Sequence, residues 1–310
     1  MSEPKRALIT GAAGFVGKAL VGYLLQHGWD VCATDAISGS DAGMFVADVS
    51  DRAQTDALLE WAGPVTHVFH LAAIAFVPDA GRDPARAFEV NLTGTINIAD
   101  SVRNHVPSAK LIYIGSADAY GPPQALPISE EHPLNPLNPY AITKAAADQY
   151  CAYLSKTTEL QIIRLRPFNH SGPGQSDAFV LSSFARQIAQ IEAGQRPPVL
   201  YVGNLEAARD FSHVDDIVRA YETAALGAIA GEAYNLSSGN AITIGEALDR
   251  LLSLSRASIK VEPDPRRMRA VDVPVIVGSH QKFTQATGWR AQTSFENLLG
   301  DLLNYWRGQS

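Results

Sequence analysis

The chain has 310 residues, 46% of them hydrophobic and 18% charged, with a formal net charge of −7. That length buries the core of one large or two smaller domains, and the acidic balance argues against nonspecific nucleic-acid binding while leaving room for a local basic pocket. Two cysteines, Cys32 and Cys151, exclude a disulfide framework, no Cys/His cluster has metal-ligand spacing, and no stretch approaches the ~20 apolar residues that span a bilayer.

In chain order, residues 6–10 read as a strand and 15–27 as a helix with Phe15, Val16, Leu20 and Leu24 at helical spacing. Strands are expected at 31–34, 67–71, 111–114 and 161–165, and helices at 52–61, 84–105 and 140–157. This βαβα rhythm implies an α/β fold, a Rossmann-type doubly wound parallel sheet with helices on both faces. Strands buried on both faces account for apolar runs without alternation. After residue 166 prolines multiply (Pro167, Pro173, Pro197, Pro198) and the pattern becomes irregular. Residues 1–165 are therefore expected to form a dinucleotide-binding domain. Residues 166–310 are expected to form mainly a smaller α/β substrate domain, with segments near 210–236 returning to the sheet. Strands at 199–202 and 233–236, a helix at 214–228 and a terminal helix from Phe295 to Trp306 complete the reading. His213 and Asp215-Asp216 read as caps of the 214–228 helix. The apolar run Ala7–Ile9 is too short for a signal peptide, so a reducing, cytoplasmic location is the expectation.

Gly11, Gly14 and Gly17 follow the first strand and open the first helix, with Phe15 and Val16 between the last two. Glycines there permit a tight turn and close approach of a pyrophosphate to backbone N–H groups at a helix N-terminus. The spacing differs from Gly-x-Gly-x-x-Gly, but the strand–loop–helix context fits a dinucleotide cofactor. Asp35, at the end of the second strand, can accept hydrogen bonds from the adenosine ribose and would repel a 2′-phosphate. No Arg or Lys lies between Asp30 and Asp51 to offset it. The cofactor is thus NAD(H) or NADP(H), with Asp35 favouring NAD(H) unless a basic residue from elsewhere intervenes. Asp48 and Val49 either flank the adenine or cap the following helix. Leu71, Ala72 and Ala73 end the next strand, where small residues allow close approach to a cofactor.

Tyr140 and Lys144 stand four residues apart in a helical stretch, so both project from one face. A lysine ammonium beside a phenol is expected to lower the phenol's pKa and equip it for proton exchange with a carbonyl or alcohol oxygen. Ser116 follows the strand 111–114, at the end of a parallel strand where open α/β sheets place ligands. Its hydroxyl can hydrogen-bond the oxygen that Tyr140 protonates.

With these residues in order, the chain resembles the extended short-chain dehydrogenase/reductase superfamily along its whole length. The resemblance implies that Ser116, Tyr140 and Lys144 are catalytic and that Lys144 also holds the nicotinamide ribose. Three later segments narrow it: Arg166 to Gln175, with Asn169 and His170; Gly203 to Phe211, with Asn204 and Arg209; and Arg269 to Gly278. Together they look like the reductases of GDP-4-keto-6-deoxy-D-mannose, which form GDP-D-rhamnose or GDP-6-deoxy-D-talose. Arg209 and Arg269 are then candidates for the diphosphate, since guanidinium matches phosphate bidentately. Asn169, His170, Asn204 and Val180 are candidates for the rest of a GDP-linked keto-deoxy sugar. GDP-mannose 4,6-dehydratases share several of these elements, but those resembling this chain carry a glutamate where Asp118 stands, two residues before Tyr120-Gly121. Asp118 is a possible acid/base group. A 4-epimerase, and a nucleotide-sensing scaffold on the same fold, are the other readings. The scaffold is disfavoured because none of the catalytic residues or loop glycines is missing. Relatives pair as homodimers through the helices at 84–105 and 140–157, and the same four-helix bundle is expected here.

Overall fold

The structure, a computed structural model, describes residues 5–37, 43–267 and 273–310. The first lobe alternates strand and helix: β1 Arg6–Thr10, α1 Phe15–Gln26, β2 Asp30–Asp35, β3 Phe45–Val46, α2 Arg52–Ala62 and β4 His67–His70. It continues through α3 Val77–Arg82, α4 Pro84–Phe88, a π-helical turn at Glu89–Thr93, α5 Gly94–His105, β5 Lys110–Ile114, α6 Pro139–Thr157 and β6 Ile162–Pro167. The helix expected at 84–105 is therefore interrupted by a π turn, which sits directly behind the candidate site.

The remaining elements are β7 Asn169–Ser171, α7 Val180–Glu192, β8 Val199–Val202, β9 Ala208–His213, α8 Val214–Gly227, β10 Ala233–Leu236 and β11 Ala241–Thr243. They end with α9 Ile244–Ser253, β12 Lys260–Pro263, β13 Val275–Ile276, α10 Gln281–Thr287 and α11 Phe295–Arg307. Seven strands form one parallel sheet in the order β10-β6-β5-β4-β1-β2-β3, so β10 crosses back to extend the first lobe. The helix that leads into β10, α8, packs beside α1.

Burial on both faces follows the period-2 geometry of a strand. Ala7, Ile9, Ile112 and Ile163 meet α1 and α8, while Leu8, Leu111, Tyr113 and Ile162 meet α2, α5 and α6. The second lobe has its own core of Leu181, Phe184, Leu200, Phe211, Leu248 and Leu302. Its β9 pairs with β7, β11 and β13, drawing three distant segments to the mouth of the main sheet.

Candidate active site

A cleft of about 1040 Å³ opens between the lobes at the carboxyl ends of the parallel strands. This is where an open α/β sheet receives ligands. Its wall includes the glycine loop, Asp35, Asp48, Val49, Leu71 to Ala73, Ser116, Asp118, Tyr140, Lys144, Asn169, His170, Val180 and Arg209.

The glycine loop is shaped by close packing of backbone on backbone. Gly11 has φ +71°, and a Cβ there would lie 2.8 Å from the Ala72 nitrogen; one on Gly17 would lie 2.1 Å from the Gly11 carbonyl oxygen. Gly14 is the N-cap of α1 and supplies no side-chain cap, and the first turn holds no acidic residue. The helix thus presents uncapped N–H groups and a positive dipole end to the cleft, which suits a pyrophosphate. At the next strand end, Asp35 accepts from the N–H groups of Ala13 and Ala36 at 3.0 and 2.8 Å, tying the loop to β2. The donor set and the tight loop fit a dinucleotide cofactor.

Asp48 does not cap α2. Asp51 does, accepting from the N–H groups of Ala53 and Gln54. Asp48 instead accepts from Ser50 and from the guanidinium of Arg86, which also donates to Glu89 and to the Ser50 hydroxyl. Arg86 lines the cleft and carries the basic charge that the β2–α2 segment lacks. It comes from α4, with no local signal in the sequence to link it to Asp48.

Tyr140 owes its place to a local signal. Asn138 caps α6, its side chain accepting from the Ala141 N–H at 2.9 Å, and Pro139 occupies the first helical position. The Ser116 hydroxyl, just past the end of β5, accepts from the Asp118 N–H at 3.1 Å and lies close enough to the Tyr140 phenol to act on its ionisation. The tuning of the phenol differs from the expectation. Burial pushes its pKa up, the charge of Asp118 adds to this, and the Ser116 hydrogen bond opposes both. Lys144 does not lower it, because the ammonium is directed at the Ile114 carbonyl oxygen, 2.7 Å away, and lies 5.4 Å over the Tyr113 ring. Burial brings the Lys144 pKa down to about 8.

On the opposite wall, His170 is held by the Phe168 carbonyl at 3.0 Å and stacks 6.3 Å from Phe15 of the glycine loop. Burial pushes its pKa down. Gln175 clamps this segment, accepting from the Ser171 hydroxyl at 2.6 Å and donating to the His170 carbonyl at 3.0 Å. Arg209 donates to the carbonyls of Ala208 and Val273, both at 2.8 Å, which fixes its guanidinium in the wall. Asn204 departs from the expectation: it is not part of the wall, and its carboxamide oxygen accepts from the Glu206 N–H at 3.0 Å within its own turn. Arg269 lies outside the described residues. His213 caps α8 by accepting from the Asp215 N–H, while Asp216 anchors the N–H groups of Gln292 and Thr293. Among the described residues no group of His, Cys, Asp and Glu is placed to hold a metal ion. Among the same residues no helix is long and apolar enough to cross a membrane.

A family model described as GDP-mannose 4,6 dehydratase matches residues 8–302. The chain is 36% identical to the GDP-6-deoxy-D-mannose reductase of Pseudomonas aeruginosa over 308 residues, 98% of each chain. The structure of RMD from Pseudomonas aeruginosa complexed with NADPH is similar with a TM-score of 0.89 and 34% identity, covering 99% of this chain and 100% of that one. UDP-glucose 4-epimerase of Thermus thermophilus, in complex with NAD, is similar with a TM-score of 0.87 and 29% identity, covering 98% of this chain and 100% of that one.

Proposed function

The chain belongs to the GDP-mannose 4,6 dehydratase family of extended short-chain dehydrogenases/reductases, and from that footing we propose that it reduces the C4 ketone of GDP-4-keto-6-deoxy-D-mannose to a GDP-6-deoxyhexose. The observation that carries the reading is its similarity, end to end, to a GDP-6-deoxy-D-mannose reductase, joined to a cleft that holds Ser116, Tyr140 and Lys144. NADH or NADPH, when bound, supplies the hydride; Gly11, Gly14, Gly17, Leu71 to Ala73, Asp35 and Lys144 are the residues to hold it. Asp35 favours NADH by repelling a 2′-phosphate, and Arg86, engaged by Asp48, Glu89 and Ser50, leaves that preference in place.

The chain's own part is proton delivery and alignment. Burial keeps Tyr140 in its neutral form, the form a reduction needs, because the phenol must give a proton to the C4 oxygen as the carbonyl becomes an alkoxide. Ser116 donates a hydrogen bond to the same oxygen. The Lys144 ammonium, mostly charged at neutral pH, is the group to hold the nicotinamide ribose, and solvent reprotonates the phenolate left behind. Arg209 meets the diphosphate, while Asn169, His170 and Val180 line the sugar and phosphate side.

The test is to supply GDP-4-keto-6-deoxy-D-mannose with NADH or NADPH, and GDP-mannose alone in a parallel reaction. Oxidation of the cofactor only with the keto sugar is the expected result. A keto sugar formed from GDP-mannose would instead make the chain a dehydratase, the second reading, which the family model's description and the charge of Asp118 close to Tyr140 favour. In that case Asp118 would be the added acid/base group, although its side chain is one methylene shorter than the glutamate of the dehydratases it resembles.

The outer faces of the paired helices support a homodimer. Phe88, Leu92 and Ile96 recur at intervals of four beside Ile142, Ala146, Tyr150 and Tyr153 of α6, and of these Tyr153 is 58% exposed. This is the stripe a four-helix bundle buries. Light scattering at micromolar concentration should give twice the chain mass. Cys32 and Cys151, both buried free thiols, suit a reducing cytoplasm.

A further inference from the structure

His70 ends β4, is 2% exposed, and has no role of its own in the reaction. Its ring nevertheless sits in a continuous chain of buried hydrogen bonds. Thr10 Oγ1 lies 2.8 Å from His70 Nδ1, and Thr95 Oγ1 lies 3.1 Å from His70 Nε2. The direction of each bond follows from its ends. Thr95 donates its single hydroxyl proton to the Asn91 carbonyl at 2.7 Å, so it can only accept from His70. His70 therefore carries its proton on Nε2 and accepts at Nδ1 from Thr10. The Thr10 oxygen in turn accepts from the Ala72 N–H at 3.2 Å. Donors run one way from Ala72 to Asn91, and only a neutral imidazole completes the run. Burial, and then the charge of Lys144, hold the His70 pKa down at about 3, so the ring stays neutral.

Both ends of the run touch the site. Ala72 is the residue against whose backbone Gly11 packs. Asn91, in the π turn, grips the backbone of Ile74 through its side chain at 2.8 and 3.2 Å and donates to Thr143 Oγ1 at 2.9 Å. Thr143 donates to the Tyr140 carbonyl at 2.7 Å. We propose that His70 is a positioning residue that fixes the spacing between the cofactor-cradling strand ends and the helix that carries Tyr140. Thr10 sets the cradle end of this brace and Thr95 the tyrosine end. The inference rests on the reductase reading above for its rate measurement, and on cofactor binding alone for its other arm.

The experiment splits the two ends. Thr10→Val and His70→Gln each remove the bond on the cradle side, and His70→Gln keeps a donor near Nε2. Thr95→Val and His70→Asn each remove the bond on the tyrosine side, and His70→Asn keeps an acceptor near Nδ1. Kd for NADPH and NADH is read by fluorescence titration, and kcat is read with the keto sugar. The cradle pair should raise the cofactor Kd about tenfold, the scale of one unsatisfied buried donor. The tyrosine pair should lower kcat about tenfold or more, the scale of a small misplacement of a reacting group, with Kd within about twofold of wild type. Thr10→Ser and Thr95→Ser should restore each loss. Folded variants with wild-type Kd and kcat would overturn the proposal. So would affinity and kcat falling together in all four variants in step with melting temperature, the pattern of a merely structural histidine. If the wild type binds cofactor but leaves the keto sugar unreduced, the reaction assignment fails. The brace is then judged on Kd alone, where Thr10→Val must weaken binding, Thr95→Val must not, and any other pattern refutes it.

Discussion

Lys144→Met should separate activity from stability. The ammonium is buried, and its pKa falls from the ordinary 10.5 to about 8 through desolvation. Since the folded value lies below the unfolded one, the unfolded chain binds the extra proton between the two, and stability rises with pH across that window. The penalty is full below pH 8, about 3 kcal/mol at neutral pH, roughly 2 at pH 9 and under ~1 at pH 10. Against it stands the ammonium's hydrogen bond to the Ile114 carbonyl at 2.7 Å, worth about 1.5–3 kcal/mol for a charged donor. Removing both with Lys144→Met should therefore leave the protein as stable as wild type at pH 7, or more stable by up to about 1.5 kcal/mol, while turnover disappears. The assay is urea unfolding of both proteins at pH 7, 8, 9 and 10. Wild type should gain on the variant by about 2 kcal/mol over that range. A stability difference that stays flat with pH would show that the buried lysine is not strained in its charged form, and would refute the reasoning.

Tyr140→Phe keeps the ring packed among Ala80, Ala87, Ile74 and Val77 but removes the proton donor. Turnover should fall by about 10²–10⁴, the usual weight of a positioned general acid, with the cofactor Kd unchanged by fluorescence titration. Gly17→Ala forces a methyl to within 2.1 Å of the Gly11 carbonyl oxygen. Every atom the methyl meets is backbone of Gly11 or Ala12, so the loop must shift, lowering stability by about 1–3 kcal/mol and weakening cofactor binding at least tenfold; calorimetric melting and titration read the two effects. Asp148→Asn breaks a buried carboxylate's bonds to Arg164 and Arg166 at 2.8 to 2.9 Å, and unfolding should show a loss of about 3–5 kcal/mol.

The parts of the site that were legible in the sequence are those with a local cause. The glycine loop follows from its steric demand, the α6 start from Asn138 and Pro139, and the Tyr140–Lys144 face from helical spacing. Each needs only residues within a turn or two. The apolar runs of β1, β4, β5 and β6 announced themselves because both of their faces are buried. What sequence could not show depends on distant pairing. β7, β11 and β13 are two or three residues long and exist because each finds β9. Arg86 reaches Asp48 from another helix. The rise in the Tyr140 pKa is a consequence of burial, which spacing alone does not encode, and the expectation built on Lys144 failed because a carbonyl on β5 captures the ammonium. Asn204 sits in a segment that resembles a substrate-binding element, but its carboxamide closes its own turn.

Asp148 also explains why Arg166, which opens the first of the three later segments, does not line the cleft. Asp148 lies on the same helix as Tyr140 and Lys144. Arg166, on β6, donates to it twice and to the Tyr120 hydroxyl at 2.8 Å, and Tyr120 belongs to the turn that begins at Ser116. Tyr120 donates to Asn235 of β10 at 2.7 Å, and Asn235 donates to the Ile128 carbonyl. The strand that leads into Asn169 and His170 is thus locked to the helix of the tyrosine by Arg166 together with Arg164, and to the turn of the serine by the Arg166 guanidinium. A lysine could not replace it, because one ammonium lacks the planar fork that reaches carboxylate and phenol together. The charge in this segment acts behind the cleft, holding three elements in register, while the neutral side chains of Asn169 and His170 that follow it line the cleft.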